Sequence, residues 1–142
     1  MPDRTLLEGR ITDAGHELFQ RVYFEDTDFS GRVYHARYLH FMERGRSDYL
    51  RLLGIHHSAL AEDGLAFAVR HMEIDFLQPA TIDDVLTIRT WNADSSGARI
   101  VLRQDVLRIE DLLVSATVTI ALIGAAGRAV RLPPRIQAAF RS

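Results

Sequence analysis

Two residue types are absent from this 142-residue sequence: cysteine and lysine. Without cysteine there is no disulfide, no thiolate nucleophile and no Cys-ligated zinc. Without lysine there is no Schiff base and no P-loop lysine. All 17 basic side chains are arginine, so any phosphate must be held by guanidinium groups or by backbone N–H. No apolar stretch reaches the ~18 residues of a membrane helix, so no transmembrane segment is expected. No basic start leads into an apolar run, so the expectation is no signal peptide and a cytoplasmic location. A formal net charge of −2 gives no general pull toward nucleic acid or anionic lipid. A content of 47% hydrophobic and 25% charged residues fits one globular domain over 1–142.

What is present falls into blocks. Residues 1–15 are mixed in character and read as a loose N-terminal arm. Glu17 to Phe24 alternates and is rich in aromatics, the pattern of a strand. Glu25 to Val33 is polar and contains Gly31, which reads as a loop. From Tyr34 to Leu53 the period becomes helical, with Tyr38, Met42, Gly45, Tyr49 and Leu53 along one stripe. Gly54 then fits a left-handed C-terminal cap. Gly45 stands on the apolar face at a cost of about 1 kcal/mol relative to Ala, which implies close approach by another element. A short helical piece at Ala59 to Asp63 precedes four strand-like runs: Ala66–Leu77, Asp84–Asn92, Ala98–Ile109 and Leu112–Ile123. Tight links at Ser95-Ser96-Gly97 and Glu110-Asp111 make antiparallel hairpins of the last three. The order of one strand, one long helix and four strands predicts an α+β arrangement with a five-stranded antiparallel sheet curled around the helix.

The stretch FEDTDFSGRVYH, residues 24–35, gathers Glu25, Asp26 and Asp28 just ahead of that helix. One explanation is that the acids cap the helix and complement its dipole. The other is that one carboxylate works there, because a helix N-terminus presents unpaired N–H groups that can hold the oxygen of a polarised carbonyl. A carboxylate beside it can attack that carbonyl or activate water toward it. The histidines do not suggest a metal. There is no HExxH, His56 and His57 are neighbours on a turn, and His35 and His40, five apart, do not share a helical face. No GxSxG and no glycine-rich phosphate loop is present.

The segment RVYFEDTDFSGRVYHARYLHFMERGRSDYLRLLGI resembles the N-terminal signature of hotdog-fold acyl-CoA thioesterases. The YbgC branch of the 4-hydroxybenzoyl-CoA thioesterase family, often encoded beside Tol–Pal envelope genes, is the type it resembles most. Weaker echoes follow in FAVRHMEIDFLQPATIDDVLTIRT and RLPPRI. The resemblance implies a hotdog fold and hydrolysis of an acyl-CoA to a carboxylic acid and free CoA, with no cofactor beyond the CoA of the substrate. It places the catalytic carboxylate at Asp28 and the carbonyl-polarising amide at His35, within the family's Tyr34-His35 pair. Gly31 matches the glycine that brings the loop close to the ligand. Glu25 and Asp26 are left with structural roles. Ser30 stands where the family usually has Gly or another small residue, and it lines the loop. Gly45 stands where the family tends to have Ala. Arg99, Arg103 and Arg128, with Arg131, are the candidates for CoA phosphates, although each alone reads as a solvated charge. The resemblance also implies a homodimer or homotetramer with the site between subunits. Two rivals remain at this level. One is an acyl-carrier-protein thioesterase. The other is a module that mainly binds carrier protein or lipid-synthesis enzymes, peripheral to the inner membrane.

Overall fold

The computed structural model describes residue 3 and residues 6–140. A short strand β1 (Arg10–Ile11) leads into β2 (His16–Arg21). After the loop comes helix α1 (Arg37–Leu52), then a short α2 (His57–Glu62). Four long strands follow: β3 (Ala66–Phe76), β4 (Val85–Ser96), β5 (Arg99–Arg108) and β6 (Asp111–Ile123), and α3 (Pro134–Ala139) ends the described chain. Among the described residues the sheet has six strands in the order β1-β2-β4-β5-β6-β3, every neighbouring pair antiparallel. It is the expected hotdog arrangement, a curled sheet around one central helix.

The sixth strand corrects the reading of a loose arm at residues 10 and 11; residues 1, 2, 4 and 5 of that arm lie outside the described residues. Arg10 and Ile11 pair with Glu17 and His16, and the Gly9 amide donates to Asp48 Oδ2 on α1 at 2.9 Å. His16 Nε2 meets the same oxygen at 2.6 Å, so Asp48 fastens this hairpin to the helix. At the chain's other end, Leu132, Ile136 and Phe140 are buried, and the Phe140 ring packs edge-on against Tyr49.

Helix α1 presents Tyr38, Phe41, Met42, Gly45, Arg46, Tyr49 and Leu50 to the sheet. A Cβ on Gly45 would lie 2.9 Å from Ile88 Cγ2 and 3.3 Å from Thr90 Oγ1, so β4 sits too close for any larger residue. This is the close approach that the glycine implied. The helix ends as expected: Gly54 has φ +85°, and the Ile55 amide reaches back to the Leu50 carbonyl at 2.8 Å.

One end of the sheet, where β3, β4, β5 and β6 meet the loop before α1, positions the candidate site. Strand β3 is the outer edge there. It is 11 residues long and pairs on one side only, with β6.

Candidate active site

The loop before α1 is held by its acids, each in a different way. Asp26 is buried. Its Oδ1 takes Arg37 Nε at 2.9 Å and NH2 at 2.7 Å, while Oδ2 takes the Tyr23 amide at 2.9 Å. Its carbonyl accepts the Tyr34 amide at 2.9 Å. Asp26 therefore ties both sides of the loop to the helix start, the structural role expected of it. Glu25 is exposed.

Asp28 opens a tight turn. The Gly31 amide donates to the Asp28 carbonyl at 3.0 Å, and the Asp28 amide to the Arg32 carbonyl at 2.9 Å. Gly31 has φ +82°, the left-handed position such a turn needs. Asp28 Oδ1 accepts the Ser30 hydroxyl at 2.5 Å and the Ser30 amide at 2.8 Å, the usual habit of Asp at the first position of a turn. Asp28 Oδ2 has no partner among the described residues and is left open. The Ser30 hydroxyl first, and its amide second, hold the Asp28 carboxyl below the ordinary aspartate value of 3.8. A depressed carboxylate is ionised at neutral pH and gains its proton only when the pH falls through the lowered value. Ser30→Ala removes the larger of these two supports. We expect the Asp28 titration, followed by NMR of its carboxyl carbon, to move up toward the ordinary value. An unchanged midpoint would show that the hydroxyl does not tune the group.

Helix α1 starts later than the period of aromatic residues suggested. Tyr34 to Ala36 form a turn, and the amides of Arg37, Tyr38 and Leu39 are taken by the carbonyls of Tyr34, His35 and Ala36 at 2.8, 3.3 and 3.2 Å. The unpaired donors therefore move back along the chain. The amides of His35 and Ala36 have no acceptor among the described residues. The His35 ring lies 4.6 Å from that of Tyr34 and edge-on to Phe76 at 6.1 Å, which joins the helix start to the end of β3. Tyr38 packs on the same Phe76, and its hydroxyl accepts the Ala80 amide at 3.1 Å.

The sequence placed Asp28 in a cleft beside these amides. In the single chain it is exposed and lines none of the larger cavities. The physical reason is that no wall stands opposite the loop. Around it, Phe29 is fully exposed, and Phe24, Tyr34, Phe76 and Leu77 are also open. Next to this patch a groove of about 600 Å³ runs between α1 and β3, with Leu39, Glu43, Arg46, Val69 and Met72 among its lining residues.

The arginines expected at phosphates separate into two sets. Arg99 lines a cleft on the outer face of the sheet, and Arg128 is not among the residues that line it. Arg103 does not join Arg99, because its guanidinium lies 5.9 Å from the Trp91 ring centre. Arg131 is exposed in the tail. Among the described residues no group of three or more His, Cys, Asp or Glu is arranged to hold a metal ion, and no helix is long and apolar enough to cross a membrane.

A helix wrapped by an antiparallel sheet is the hotdog architecture, and here a loop carrying a carboxylate leads into a helix start with free amides. The comparisons agree. Residues 22–140 match the model of the thioesterase-like superfamily, and the chain belongs to that family. It is 42% identical over 132 residues to the acyl-CoA thioesterase YbgC of Haemophilus influenzae, covering 92% of this chain and 97% of that protein. It is 40% identical to the acyl-CoA thioester hydrolase YbgC of Escherichia coli O157:H7 over 67% of this chain and 71% of that one. Among solved structures, a probable thioesterase from Bartonella henselae superposes with a TM-score of 0.81 at 52% identity, over 83% of this chain and 98% of the other.

Proposed function

We propose that this chain is an acyl-CoA thioester hydrolase in which Asp28 is the reacting carboxylate and the His35 and Ala36 amides receive the charge that develops on the carbonyl oxygen. The observation that carries the reading is the pair of unpaired amides at the start of α1, following directly on a loop whose Asp28 has one oxygen tied and one free.

The chemistry needs little more. A thioester carbonyl is electrophilic, and the leaving thiol, with a pKa of roughly 8.5 on the cysteine scale, departs as thiolate without an acid. The carbonyl oxygen sits against the two amides. Asp28 Oδ2 then attacks the carbonyl carbon and forms a mixed anhydride that water cleaves, or it takes a proton from a water that attacks in its place. In both routes the C–S bond breaks, CoA leaves as thiolate, and the acyl group ends as a carboxylate. The Tyr34 and His35 rings form an aromatic wall beside the reacting group.

The missing wall is supplied by a second copy. Strand β3 offers an unpaired edge of 11 residues beside open Val69 and Phe76, and an exposed strand of that length invites antiparallel pairing with its own kind. Pairing two such edges makes one continuous sheet, covers the apolar patch around the loop, and closes the groove between α1 and β3 around an acyl chain.

The test is release of free thiol from a series of acyl-CoA esters and from acyl-carrier-protein esters with the same acyl groups. The mass of the native particle is measured in parallel by sedimentation. We expect kcat/KM for the CoA ester to exceed that for the carrier-protein ester by about tenfold or more. The particle should have at least twice the 16.1 kDa mass of the chain. No thiol release from any ester, or a strong preference for carrier protein, would overturn the reading.

A further inference from the structure

We infer that Arg46 reads the far end of the acyl chain, and that the substrate is an acyl-CoA whose acyl group ends in a carboxylate. The inference rests on the proposed function and deepens it: Asp28 meets the thioester and Arg46 meets the tail.

The groove between α1 and β3 begins beside the His35 and Ala36 amides, since Arg37, the next residue, lines it. From there Leu39, Glu43 and Arg46 follow along one stripe of the helix. Strand β3 forms the opposite wall with both Val69 and Met72. Residues three apart in a regular strand point to opposite faces. Here Val69 lies opposite Ile120 and His71 opposite Thr119, so Arg70 is an extra residue. The bulge turns Val69 and Met72 to the same side. Further along α1 the groove meets a smaller chamber of about 130 Å³. The two share Glu43, Arg46 and Val69, and Leu50, Phe67 and Ile120 line the chamber beyond. Arg46 therefore stands where an acyl chain lying in the groove ends.

Burial sets Arg46 apart from the other arginines. It is 8% exposed and is the one buried arginine among the described residues. Its NH1 donates to Gln104 Oε1 at 3.0 Å, a neutral acceptor. No carboxylate of a described residue forms an ion pair with it. A guanidinium has several more N–H donors than that one bond uses. These donors are not sealed in the core. Among the described residues, the enclosed side-chain atoms without a partner are His16 Nδ1 and Asn92 Oδ1. The spare donors of Arg46 thus open on the space that Arg46 lines, the groove and the chamber. A buried cation without a counter-charge is unfavourable, and a carboxylate that bonds the guanidinium fork in bidentate fashion matches it best. The rest of the groove agrees in sign. Arg37, Arg44 and Arg46 line it against one acid, Glu43, which is exposed and accepts the Ser47 hydroxyl at 2.6 Å. A methyl-ended chain offers these donors no acceptor and strips water from them.

The spacing also sets a length. Arg46 lies ten residues beyond Ala36, about 15 Å along the helix axis. Helix side chains lean back toward the N-terminus, so the guanidinium is about 10–15 Å from the amides. An extended chain advances roughly 1.25 Å per carbon, so an acyl group of about 8–12 carbons spans that distance. A short diacid falls short of Arg46.

The test is thiol release from CoA thioesters of straight-chain dicarboxylic acids of rising length, each compared with the methyl-ended ester of equal length. At about ten carbons we expect kcat/KM for the carboxyl-ended ester to be about 100-fold the higher, with no such preference for the shortest pair. Arg46→Lys keeps a point charge without the fork and should retain a preference of about tenfold. Arg46→Met/Gln104→Leu makes the buried pair apolar and should bring the ratio to about one. The ratio is taken within one protein, so a loss of stability, which lowers both rates alike, does not move it. A native protein that hydrolyses methyl-ended esters as well as carboxyl-ended ones would overturn the inference; that result is expected if a carboxylate of the second subunit fills Arg46 instead. A preference that survives in the double variant would overturn it too. Calorimetry with the free diacid of that length separates the inference from the enzyme reading. Binding that is lost in the double variant, in a native protein that hydrolyses no ester, would sink the enzyme reading alone.

Discussion

Asp28→Asn is expected to lower turnover by about 10³-fold or more, with KM and the thermal midpoint nearly unchanged. A positioned general base alone contributes roughly 10²–10⁴-fold, and a nucleophile that forms a covalent intermediate is harder still to replace. Asparagine has almost the same shape. Its carbonyl oxygen can keep both bonds from Ser30, so the turn from 28 to 31 is retained. What disappears is the negative charge and the free basic oxygen. Stability should barely respond, because the carboxylate is exposed and its charge is well solvated. The measurement is thiol release under saturating acyl-CoA, with circular dichroism to confirm the fold. A variant within tenfold of native turnover would remove Asp28 from the chemistry and leave the loop a purely structural device.

The local part of this site was legible in the sequence because it is made of local chemistry. A polar stretch containing Gly31 reads as a loop, and the structure shows a tight turn there, with Gly31 at φ +82°; the bonds from Ser30 to Asp28 that shape it were not read from the sequence. The acid just ahead of the helix, Asp26, also took the fastening role that its position suggested. The helix start was misjudged by three residues, because Tyr34 and Tyr38 continue the aromatic period while the Tyr34–Ala36 turn has no capping side chain to announce it. What depends on distant residues was not legible. Arg46 carried no signal in the helical pattern that set it apart, yet it is buried. Strand β1 is only two residues long, too short for any alternation to show. The bulge at Arg70 was passed over because alternation cannot reveal one. One extra residue changes which face every later side chain takes, and nothing in AFAVRHMEIDF marks where it is inserted. In the fold of one chain no wall stands opposite Asp28, and no local pattern in the sequence speaks to that.

The buried network around Arg46 carries the largest expected effect on stability. Gln104 is fully buried on β5. Its Nε2 donates to the Met42 carbonyl and to Thr90 Oγ1, each at 2.9 Å, and its Oε1 accepts Arg46 NH1 at 3.0 Å. One amide therefore joins the helix to two strands at the level of Gly45. Burial pushes the Arg46 guanidinium below the usual arginine range, and only nearby Glu43 pulls it back. Gln104→Leu keeps the volume but strands an Arg46 N–H and the Thr90 hydroxyl. Each unsatisfied group costs roughly 1–3 kcal/mol, more when charged, and added leucine burial offsets about 1–2 kcal/mol. The expected net loss is about 3 kcal/mol, which in a domain of this size lowers the thermal midpoint by roughly 10 °C. The double variant Arg46→Met/Gln104→Leu replaces the whole polar set with apolar groups and should recover at least half of that loss, since a satisfied buried network and a well-packed apolar one are often close in free energy. Denaturant melts of the four proteins give the coupling directly. Additive losses would mean that Arg46 does not depend on Gln104. Coupled losses would show that a single amide under the helix keeps a guanidinium buried beside the groove between α1 and β3.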